Sequence, residues 1–525
     1  MSKGLPALAH SWPTPPSSLY QLPTGLVMFI EMPTPILGYA LLAFVVWYII
    51  SSLRSWYPLR HVPGPTLASF SYLWVATRVL TGRGAEYENL AKYGSLVRTS
   101  PRYLVSDDPN VIRHLNGVRS QANRDEWYFG AKFDPKRDHL LSSLKIKAHD
   151  KLKAKSAHGY SGRDNVDMEG GVDSQLLHFL DIIRQKYLSD AGTTRPFDFA
   201  HIIRYLTLDT ITKVGFSKSF GFMDSKNDLY GYTDSLERTV GWIATAGDVP
   251  LLRRLFISPI SAYFMAPKPT DERGLGKLIG VCQEITRSRF EKKDSDAEDM
   301  VGAFIRGGMT KDEIDCETIL QIVAGSDTTA TAIRSTMLHI ISTPRVYQRL
   351  KAEIKDAVES GKVSSPITMG QAKNLPYFQH HMGRPPHALA RRVRILQRHP
   401  PAGETINGLF IPGGTAVGCN FVAMMRLKSV FGQDSQVFRP ERFLEASEEK
   451  RNEMIRTVDL AFGHGRWMCA GKVLAMIELN KVTFELVRAF DWQLIYPGQP
   501  WEEVAYTVFV QRHMWVRVTE AGKDL

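Results

Sequence analysis

Residues Ala461 to Lys472 read AFGHGRWMCAGK, and this stretch decides both the fold and the chemistry of the chain. Gly463 and Gly465 precede its single cysteine, Cys469. Glycines allow backbone paths that other residues avoid, and they let the backbone approach a flat ligand closely. The run after the cysteine, Val473–Arg488, has helical periodicity. We therefore predict that the sulfur lies at a helix N-terminus.

The setting of Cys469 favours an anionic sulfur, because the dipole and free amides of a helix N-terminus stabilise a thiolate. Arg466 adds positive charge, which suits a thiolate and a cofactor carboxylate alike. A thiolate held in this way pushes electron density onto haem iron and favours O–O cleavage. For an isolated cysteine the alternative is a buried thiol near a glycine turn. The Phe-Gly-x-Gly-x-x-x-Cys-x-Gly spacing from Phe462 to Gly471 argues against that alternative.

With this spacing the chain resembles the cytochrome P-450 family of haem-thiolate monooxygenases. The resemblance implies that Cys469 ligates the iron of heme b and that Phe462 packs beside it. The other cofactor-binding residues that it implies in this loop are Gly463, Gly465, Arg466 and Gly471. The family usually places Arg or His two residues before the cysteine, where this chain has Trp467. The variant Gly-Arg-Trp resembles a fungal subgroup that includes pisatin demethylase.

A second cluster, Ala324-Gly325-Ser326-Asp327-Thr328-Thr329, lies inside the helical run Glu313–Ser342. Glycine inside a helix costs about 1 kcal/mol relative to alanine, and threonine is also a poor helix former. Such residues in a strong helix favour a functional groove, and an acid beside a hydroxyl can relay protons for O2 cleavage. The alternative is a helix N-cap at Ser326 and Asp327. The cluster precedes the cysteine loop by about 140 residues, and with that order and spacing it resembles the family's oxygen-binding helix. The resemblance implies proton delivery by Asp327 and Thr328, with room for O2 at Ala324 and Gly325.

Two further segments support the resemblance. Phe438–Phe443 (FRPERF) resembles the family's meander motif, in which Arg442 locks the haem-side core, although a solvated turn is the alternative. Lys145–Lys155 (KIKAHDKLKAK) is basic and of helical character, and by itself it is typical of a solvated helix face. In the family the corresponding helix touches haem propionates and helps form the face that docks the reductase. The resemblance thus implies His149 and Lys153 as propionate contacts.

The pattern breaks at residues 380–402, HHMGRPPHALARRVRILQRHPPA. The family has a Glu-x-x-Arg pair on a helix here, but this segment contains no carboxylate, and Pro385-Pro386 would break a helix at a cost of about 3 kcal/mol. We interpret the segment as a local reading-frame slip, compensated near Ala402. If the buried Arg442 has no carboxylate partner, the free energy of unfolding of the protein is expected to fall by about 3–5 kcal/mol.

The amino-terminal region predicts a membrane anchor. Ile36–Leu53 contains no charge and no proline, and as a helix it would span about 27 Å, close to the roughly 30 Å of a bilayer core. Arg54 and Arg60 follow it, so the positive-inside rule places the rest of the chain in the cytosol. A secretory signal peptide is the alternative, but the apolar run starts late and no small-residue cleavage site follows.

Composition sets the remaining limits. The chain has 525 residues with 44% hydrophobic residues, which excludes disorder. Its net charge of +11 favours an anionic partner, and docking of an acidic protein explains this charge without nucleic acid, for which no helix-turn-helix or zinc-finger spacing is present. Its four cysteines form no CxxC pair, which argues against a disulfide framework.

Apolar periodicity predicts a mainly α protein with a small β component: a cytochrome P-450 fold preceded by one N-terminal transmembrane helix. The predicted helices are Gln175–Tyr187, Leu275–Lys292, Glu313–Ser342 and Pro344–Ser360, and the predicted strands are Ser95–Arg98, Tyr103–Ser106, Thr507–Val510 and Met514–Val518. Gly159–Asp164 and Met168–Gly171 are predicted as surface loop. The predicted domains are a luminal tail (1–35), an anchor (36–53), a proline-rich hinge (54–65) and a haem domain (66–525, atypical at 380–402).

Together these features predict a single-pass protein of the endoplasmic reticulum membrane that oxidises an apolar small molecule, in fungal specialised metabolism. Electrons would come from NADPH through the flavin of a separate cytochrome P-450 reductase, with cytochrome b5 as a further partner. One alternative is a degenerate, non-catalytic haem-binding or misfolded membrane protein, based on residues 380–402. Another keeps the haem but performs isomerisation or dehydration without a reductase, and the Asp327–Thr328 pair argues against it.

Overall fold

The computed structural model describes residues 34–163, 167–225, 228–292, 297–382, 396–398 and 402–522. Most of the atypical segment 380–402, including Pro385-Pro386, lies outside the described residues, as does nearly all of the predicted luminal tail 1–35. Elsewhere the chain is mainly α-helical with few strands, as the sequence predicts.

The helices of the first half are α1 (Thr34–Trp56), α2 (Thr66–Phe70), α3 (Leu73–Leu80), α4 (Pro109–Asn116), α5 (Ile146–Ser161), α6 (Met168–Ile182), α7 (Phe199–Phe216), α8 (Tyr232–Asp248), α9 (Pro250–Phe256) and α10 (Pro259–Met265). Those of the second half are α11 (Gly274–Glu291), α12 (Met300–Arg306), α13 (Lys311–Ile341), α14 (Pro344–Glu359), α15 (Met369–Lys373), α16 (Pro376–Met382), α17 (Phe421–Met424), α18 (Lys428–Phe431), α19 (Glu441–Glu445), α20 (Glu448–Val458) and α21 (Lys472–Ala489).

The strands are β1 (Leu96–Arg98), β2 (Tyr103–Ser106), β3 (Asn123–Arg124), β4 (Phe197–Asp198), β5 (Leu396–Arg398), β6 (Glu404–Ile406), β7 (Leu409–Ile411), β8 (Ala416–Cys419), β9 (Phe490–Leu494), β10 (Glu502–Ala505), β11 (Phe509–Arg512) and β12 (Trp515–Glu520). The largest sheet has the order β1-β2-β8-β5-β3, with β2 and β8 parallel. A three-stranded sheet has the order β4-β12-β9, and β6-β7 and β10-β11 form antiparallel pairs.

The helix that carries the Ala324–Thr329 cluster, α13, runs through the main hydrophobic core. A capping box of Thr310 and Glu313 fixes its N-terminus, because each side chain bonds the backbone N–H of the other residue. Apolar residues such as Ile314, Ile333 and Met337 are fully buried on it, as expected for a helix with neighbours on all sides. The Ser326–Asp327 N-cap alternative is therefore wrong, since both residues lie in the middle of one continuous helix.

Local differences from the sequence predictions have simple causes. Met168–Gly171 is not a loop but the first turn of α6, and α5 continues to Ser161 before Gly162 ends it in the left-handed conformation at φ 72°. Glycines in both segments suggested turns, yet Gly159 packs against Phe304 of α12 and Gly171 against Val214 of α7. The two C-terminal strands begin one or two residues later than predicted.

The amino-terminal unit, which ends at Ser51, contributes the first part of α1. Within the described residues, one helical segment, Gly38–Leu59, is long and apolar enough to cross a membrane. It includes large exposed side chains such as Leu41, Phe44 and Trp47.

Candidate active site

The cysteine loop and the α13 cluster face a common cavity of about 650 Å³. Much of its wall is apolar, with Leu236, Ile243 and Phe509 among the lining side chains. The predicted site residues that line it are His149, Ala324, Gly325, Asp327, Thr328, Phe462, Gly463, Cys469 and Gly471. The predicted residues Lys153, Arg442, Gly465 and Arg466 lie outside its described lining. Two motifs about 140 residues apart in sequence thus meet across one apolar space.

Backbone geometry holds the cysteine loop in place. Gly463 and Gly465 have φ of 79° and 54°, in the left-handed region that favours glycine. A Cβ atom at Gly465 would come within 2.4 Å of the carbonyl oxygen of Asn116, so this position needs glycine for space as well. The Cys469 N–H donates to the carbonyl of Phe462 at 2.7 Å, which closes the loop just before α21 begins.

The four cysteines, all of them described, differ in their surroundings. Cys469 is partly exposed and lines the cavity. Cys282, Cys316 and Cys419 are buried, and burial raises the pKa of each thiol, to about 12 for Cys316. Those three thiols are protonated and unreactive at neutral pH. Cys469 is therefore the thiol placed to act as a cofactor ligand.

The opposite wall is formed by the middle of α13. The Thr328 hydroxyl donates to the Ala324 carbonyl at 2.7 Å, and the Ser326 hydroxyl donates to the Ile322 carbonyl at 2.8 Å. Gly325 packs against α7, where an added Cβ would lie 3.1 Å from the side chain of Ile211. Hydroxyls that bond the preceding turn weaken a helix locally, which explains how a groove forms here without ending the helix.

Asp327 is ion-paired, which the sequence did not predict. The Nε atom of Arg204, on α7, lies 2.8 Å from Asp327 Oδ1, and the same guanidinium bonds Glu237 on α8. Glu237 in turn pairs with Arg512 Nε at 2.7 Å. Burial opposes ionisation of Glu237, but Arg204 and Arg512 hold its pKa below the usual range. No sequence signal marks Arg204, because a single arginine in a helical run is usually solvated.

A cationic group lies beside the cysteine loop. The His149 ring, 1% exposed, packs on Trp467 with 4.3 Å between ring centroids; burial lowers the pKa of His149 to about 4, so this ring is neutral at pH 7 and the positive charge comes from its neighbours. Lys153 Nζ donates to the Arg466 carbonyl at 2.7 Å. The Arg466 guanidinium bonds Asp150 and so neutralises that carboxylate at the rear of the loop.

Arg124 is a member of this group that the sequence analysis missed. Its guanidinium lies 4.7 Å from the centroid of the Trp467 ring and lines the cavity. Its Nη1 atom donates to the carbonyls of Leu140 and Leu141, at 2.5 and 2.8 Å. Trp467, at the position where the related family has Arg or His, is thus covered by a cation from β3. Arg124, His149 and Lys153 are the described side chains best placed for anionic groups of a cofactor.

The expectation that Arg442 lacks a carboxylate partner is wrong. Arg442, 5% exposed, has Asp434 Oδ1 at 3.1 Å from Nη1. Its Nη2 donates to the carbonyls of Asp434 and Val437 at 3.0 and 2.7 Å, and its Nη1 also bonds the Phe431 carbonyl. The partners come from the segment before α19, five to eleven residues earlier in the sequence. The predicted loss of about 3–5 kcal/mol required an unpaired charge, so it does not follow.

The neighbouring Glu441 connects this turn to the helix before the atypical segment. Tyr377, on α16, donates its hydroxyl to Glu441 Oε1 at 2.8 Å, and Arg345 of α14 pairs with the same carboxylate. The start of α16 is therefore held by contacts outside residues 380–402.

Comparison with known proteins matches the chain to one family. The family described as cytochrome P-450 matches residues 104–513. The cytochrome P-450 monooxygenase ABA1 of Pyricularia oryzae is 42% identical over 500 residues, which cover 92% of this chain and 96% of that protein. The monooxygenase aba1 of Botryotinia fuckeliana is 41% identical, covering 88% of this chain and 92% of its own. The monooxygenase abl1 of Leptosphaeria maculans is 34% identical, covering 90% and 84%.

Proposed function

This chain belongs to the cytochrome P-450 family and is a monooxygenase, and on that premise we propose that it inserts one oxygen atom from O2 into an apolar small molecule. The observation that carries the proposal is the shared cavity, in which the Cys469 thiol and the Asp327–Thr328 pair face the same apolar space. Relatives from Pyricularia and Botryotinia support a role in fungal specialised metabolism.

The residues of the cavity fit a haem. Cys469 is its partly exposed thiol, and glycines leave room beside it. Arg124 supplies a cation for the propionates, Lys153 adds a second at the cysteine loop, and the neutral His149 offers a ring nitrogen. When bound through the thiolate, haem supplies the activation of O2. The protein contributes proton relay and the exclusion of water. The Asp327 carboxylate and the Thr328 hydroxyl pass protons along the α13 wall, and apolar side chains keep water from the substrate.

The first experiment is a reduced, carbon-monoxide difference spectrum of the full chain in membranes. A strongly red-shifted Soret band is expected, because a thiolate ligand produces it. An unshifted band, or no haem at all, would favour the degenerate protein with residues 380–402 as the cause. Sequencing the transcript through the codons for these residues tests the reading-frame slip separately, since an in-frame message would remove an error in the gene sequence as the explanation.

The second experiment separates oxidation from the reductase-free alternative. The protein is reconstituted with NADPH–cytochrome P-450 reductase, with and without cytochrome b5, and given apolar substrates under 18O2. Products should carry one labelled oxygen and require NADPH. A product formed without NADPH would instead indicate isomerisation or dehydration.

We propose attachment to the endoplasmic reticulum membrane by residues 36–53, with residues 66–525 in the cytosol. Two observations support this: the apolar segment of α1, and a second apolar surface on α9 and α10. On that surface Ile260, Tyr263 and Phe264 are 69–76% exposed. Exposed apolar patches of this kind mark interaction with lipid or protein. The protein should stay in the membrane fraction after carbonate extraction. When intact, sealed microsomes are treated with protease, residues 66–525 should be digested. Protection of these residues would contradict the proposed orientation.

A further inference from the structure

One arginine of the cavity wall is buried with hydrogen-bond donors that the described structure leaves unpaired. Arg334, on α13, is 1% exposed and lines the cavity. Within the described part of the chain, neither its Nε nor its Nη2 atom has a hydrogen-bond partner. A buried cation without a partner is costly, so this side chain marks a place where a ligand can contribute what the protein does not.

The neighbouring charges form a paired network that does not include Arg334. Arg204 pairs with Asp327 and Glu237, and Glu237 also pairs with Arg512. Asp198 is a further carboxylate nearby, but it caps α7 by accepting the Ala200 N–H, and in the described part of the chain it offers no acceptor to Nε or Nη2 of Arg334. Among its described residues, this end of the cavity therefore lacks an anion in direct contact with that guanidinium.

The propionates of a haem do not supply the missing anion. The candidate propionate residue Arg124 bonds the Leu140 carbonyl, and the Leu140 N–H donates to Glu317 Oε2 on α13 at 2.9 Å. The cationic group beside the cysteine loop therefore lies at the level of Glu317. Arg334 is 17 residues further along the same helix, which at about 1.5 Å per residue is about 26 Å away.

We propose that Arg334 binds the carboxylate of the substrate, so that the substrate class is an apolar molecule with a carboxylic acid at one end. The guanidinium presents two parallel N–H groups, which match the two oxygens of a carboxylate. This inference rests on the proposed monooxygenase function and specifies its substrate. Arg334 is six residues beyond Thr328, about 9 Å along the helix, so the oxidised carbon lies on the order of 10 Å from the carboxylate.

The test is substrate-type difference spectroscopy of the purified holoprotein. The probes are dodecanoic and hexadecanoic acids, each compared with its methyl ester. We expect the wild type to bind the acids about tenfold more tightly than the esters or better, as for a charge-assisted bond. Arg334→Gln should abolish this preference and Arg334→Lys should keep part of it. Arg238→Gln, which removes a 77%-exposed charge of α8 outside the cavity lining, should keep the whole preference.

Equal binding of acids and esters by the wild type would overturn the proposal, as would a preference that survives Arg334→Gln. Either result leaves the monooxygenase function standing if the red-shifted carbon-monoxide band is present; absence of that band is a failure of the function itself. Thermal unfolding gives a second measurement. Arg334→Met should unfold at or above the wild-type temperature without ligand, and dodecanoic acid should raise the unfolding temperature of the wild type alone. A lower ligand-free temperature, with the acid effect retained, would show a structural role instead.

Discussion

The two walls of the cavity are built in different ways. The wall that carries Cys469 is made by backbone: two left-handed glycines, a 2.7 Å amide bond to Phe462 and a helix that starts just after the sulfur. The wall that carries Asp327 is made by side chains, which α7, α8 and β11 send toward α13. A backbone-built wall leaves a local sequence signature, whereas a side-chain-built wall depends on residues scattered over some 300 positions.

The largest effect is expected at the sulfur, on the backbone-built wall. Cys469→Ser should abolish the red-shifted carbon-monoxide band, because serine cannot supply a thiolate to the iron. The measurement is the reduced difference spectrum at equal protein concentration. Cys282→Ser is the matched control, since that thiol is buried away from the cavity lining, and it should retain the band. A red-shifted band in Cys469→Ser would mean that another ligand holds the iron.

The next effect tests whether this wall depends on glycine geometry. At Gly465 the backbone has a left-handed φ of 54°, and an added Cβ would lie 2.4 Å from the Asn116 carbonyl oxygen. Because both are unfavourable for alanine, Gly465→Ala should lower the free energy of unfolding by about 3 kcal/mol or more. Gly498→Ala is the control, because Gly498 lies outside the cavity lining, is not among the glycines with positive φ, and an added Cβ there meets no atom within 4 Å. Chemical denaturation of the two variants gives the comparison. Equal losses would contradict a backbone-built wall.

The same contrast explains what the sequence could predict. The cysteine loop, the helix that follows it and the groove on α13 come from local spacing, since glycine, threonine and helix periodicity act over a few residues. The partners of Asp327 and the Arg124–Trp467 contact are long-range, and no local pattern marks them. The prediction that Arg442 lacks a carboxylate partner was wrong for a related reason. Its expected partner was sought on a distant helix, whereas Asp434 and nearby carbonyls surround it.

On the side-chain wall, Asp327→Asn should reduce turnover about a hundredfold, because general acid catalysis typically contributes 10²–10⁴-fold. The amide cannot exchange protons as the carboxylate does, and it no longer carries the charge that pairs with Arg204. The spectrum should keep its red-shifted band, so that the fault is kinetic. The measurement is product formed per NADPH consumed, together with the rate in deuterated buffer. Unchanged turnover would remove Asp327 from proton delivery.

A smaller effect concerns the loop that supports Arg124, and it depends on pH. The buried His139 accepts the N–H groups of Leu141 and Ser142 on Nδ1, and burial lowers its pKa to about 4. Above its ordinary pKa of about 6.5, folded and unfolded states are both neutral there. Between pH 6.5 and 4 the unfolded state binds a proton that the folded state does not, so stability falls as pH falls, by about 2 kcal/mol at pH 5. In His139→Gln the fall in stability towards pH 5 should be smaller than in the wild type by this amount, since the buried His149 still contributes its own, whereas the exposed His178→Gln should match the wild type.

The smallest effect is expected at Glu237, which Arg204 separates from Asp327, and it decides how far the side-chain wall extends. Glu237→Gln keeps the size of the side chain but removes one of the two carboxylates that hold Arg204. Arg204 can then bind Asp327 more tightly, which stabilises the ionised carboxylate and makes it a weaker proton donor. Turnover should fall threefold to tenfold, and the solvent isotope effect should rise, because proton transfer becomes more rate-limiting. A purely structural role for Glu237 would lower the amount of folded protein without changing that isotope effect.

Arg512→Gln removes the other cation that pairs with Glu237 and should have the opposite effect on Asp327. Glu237 then pairs with Arg204 only, so Arg204 binds Asp327 less tightly. If both variants slow turnover equally with no isotope effect, the wall acts through Asp327 by itself, and the chain of charges behind it serves only to fill the space between α7, α8 and β11.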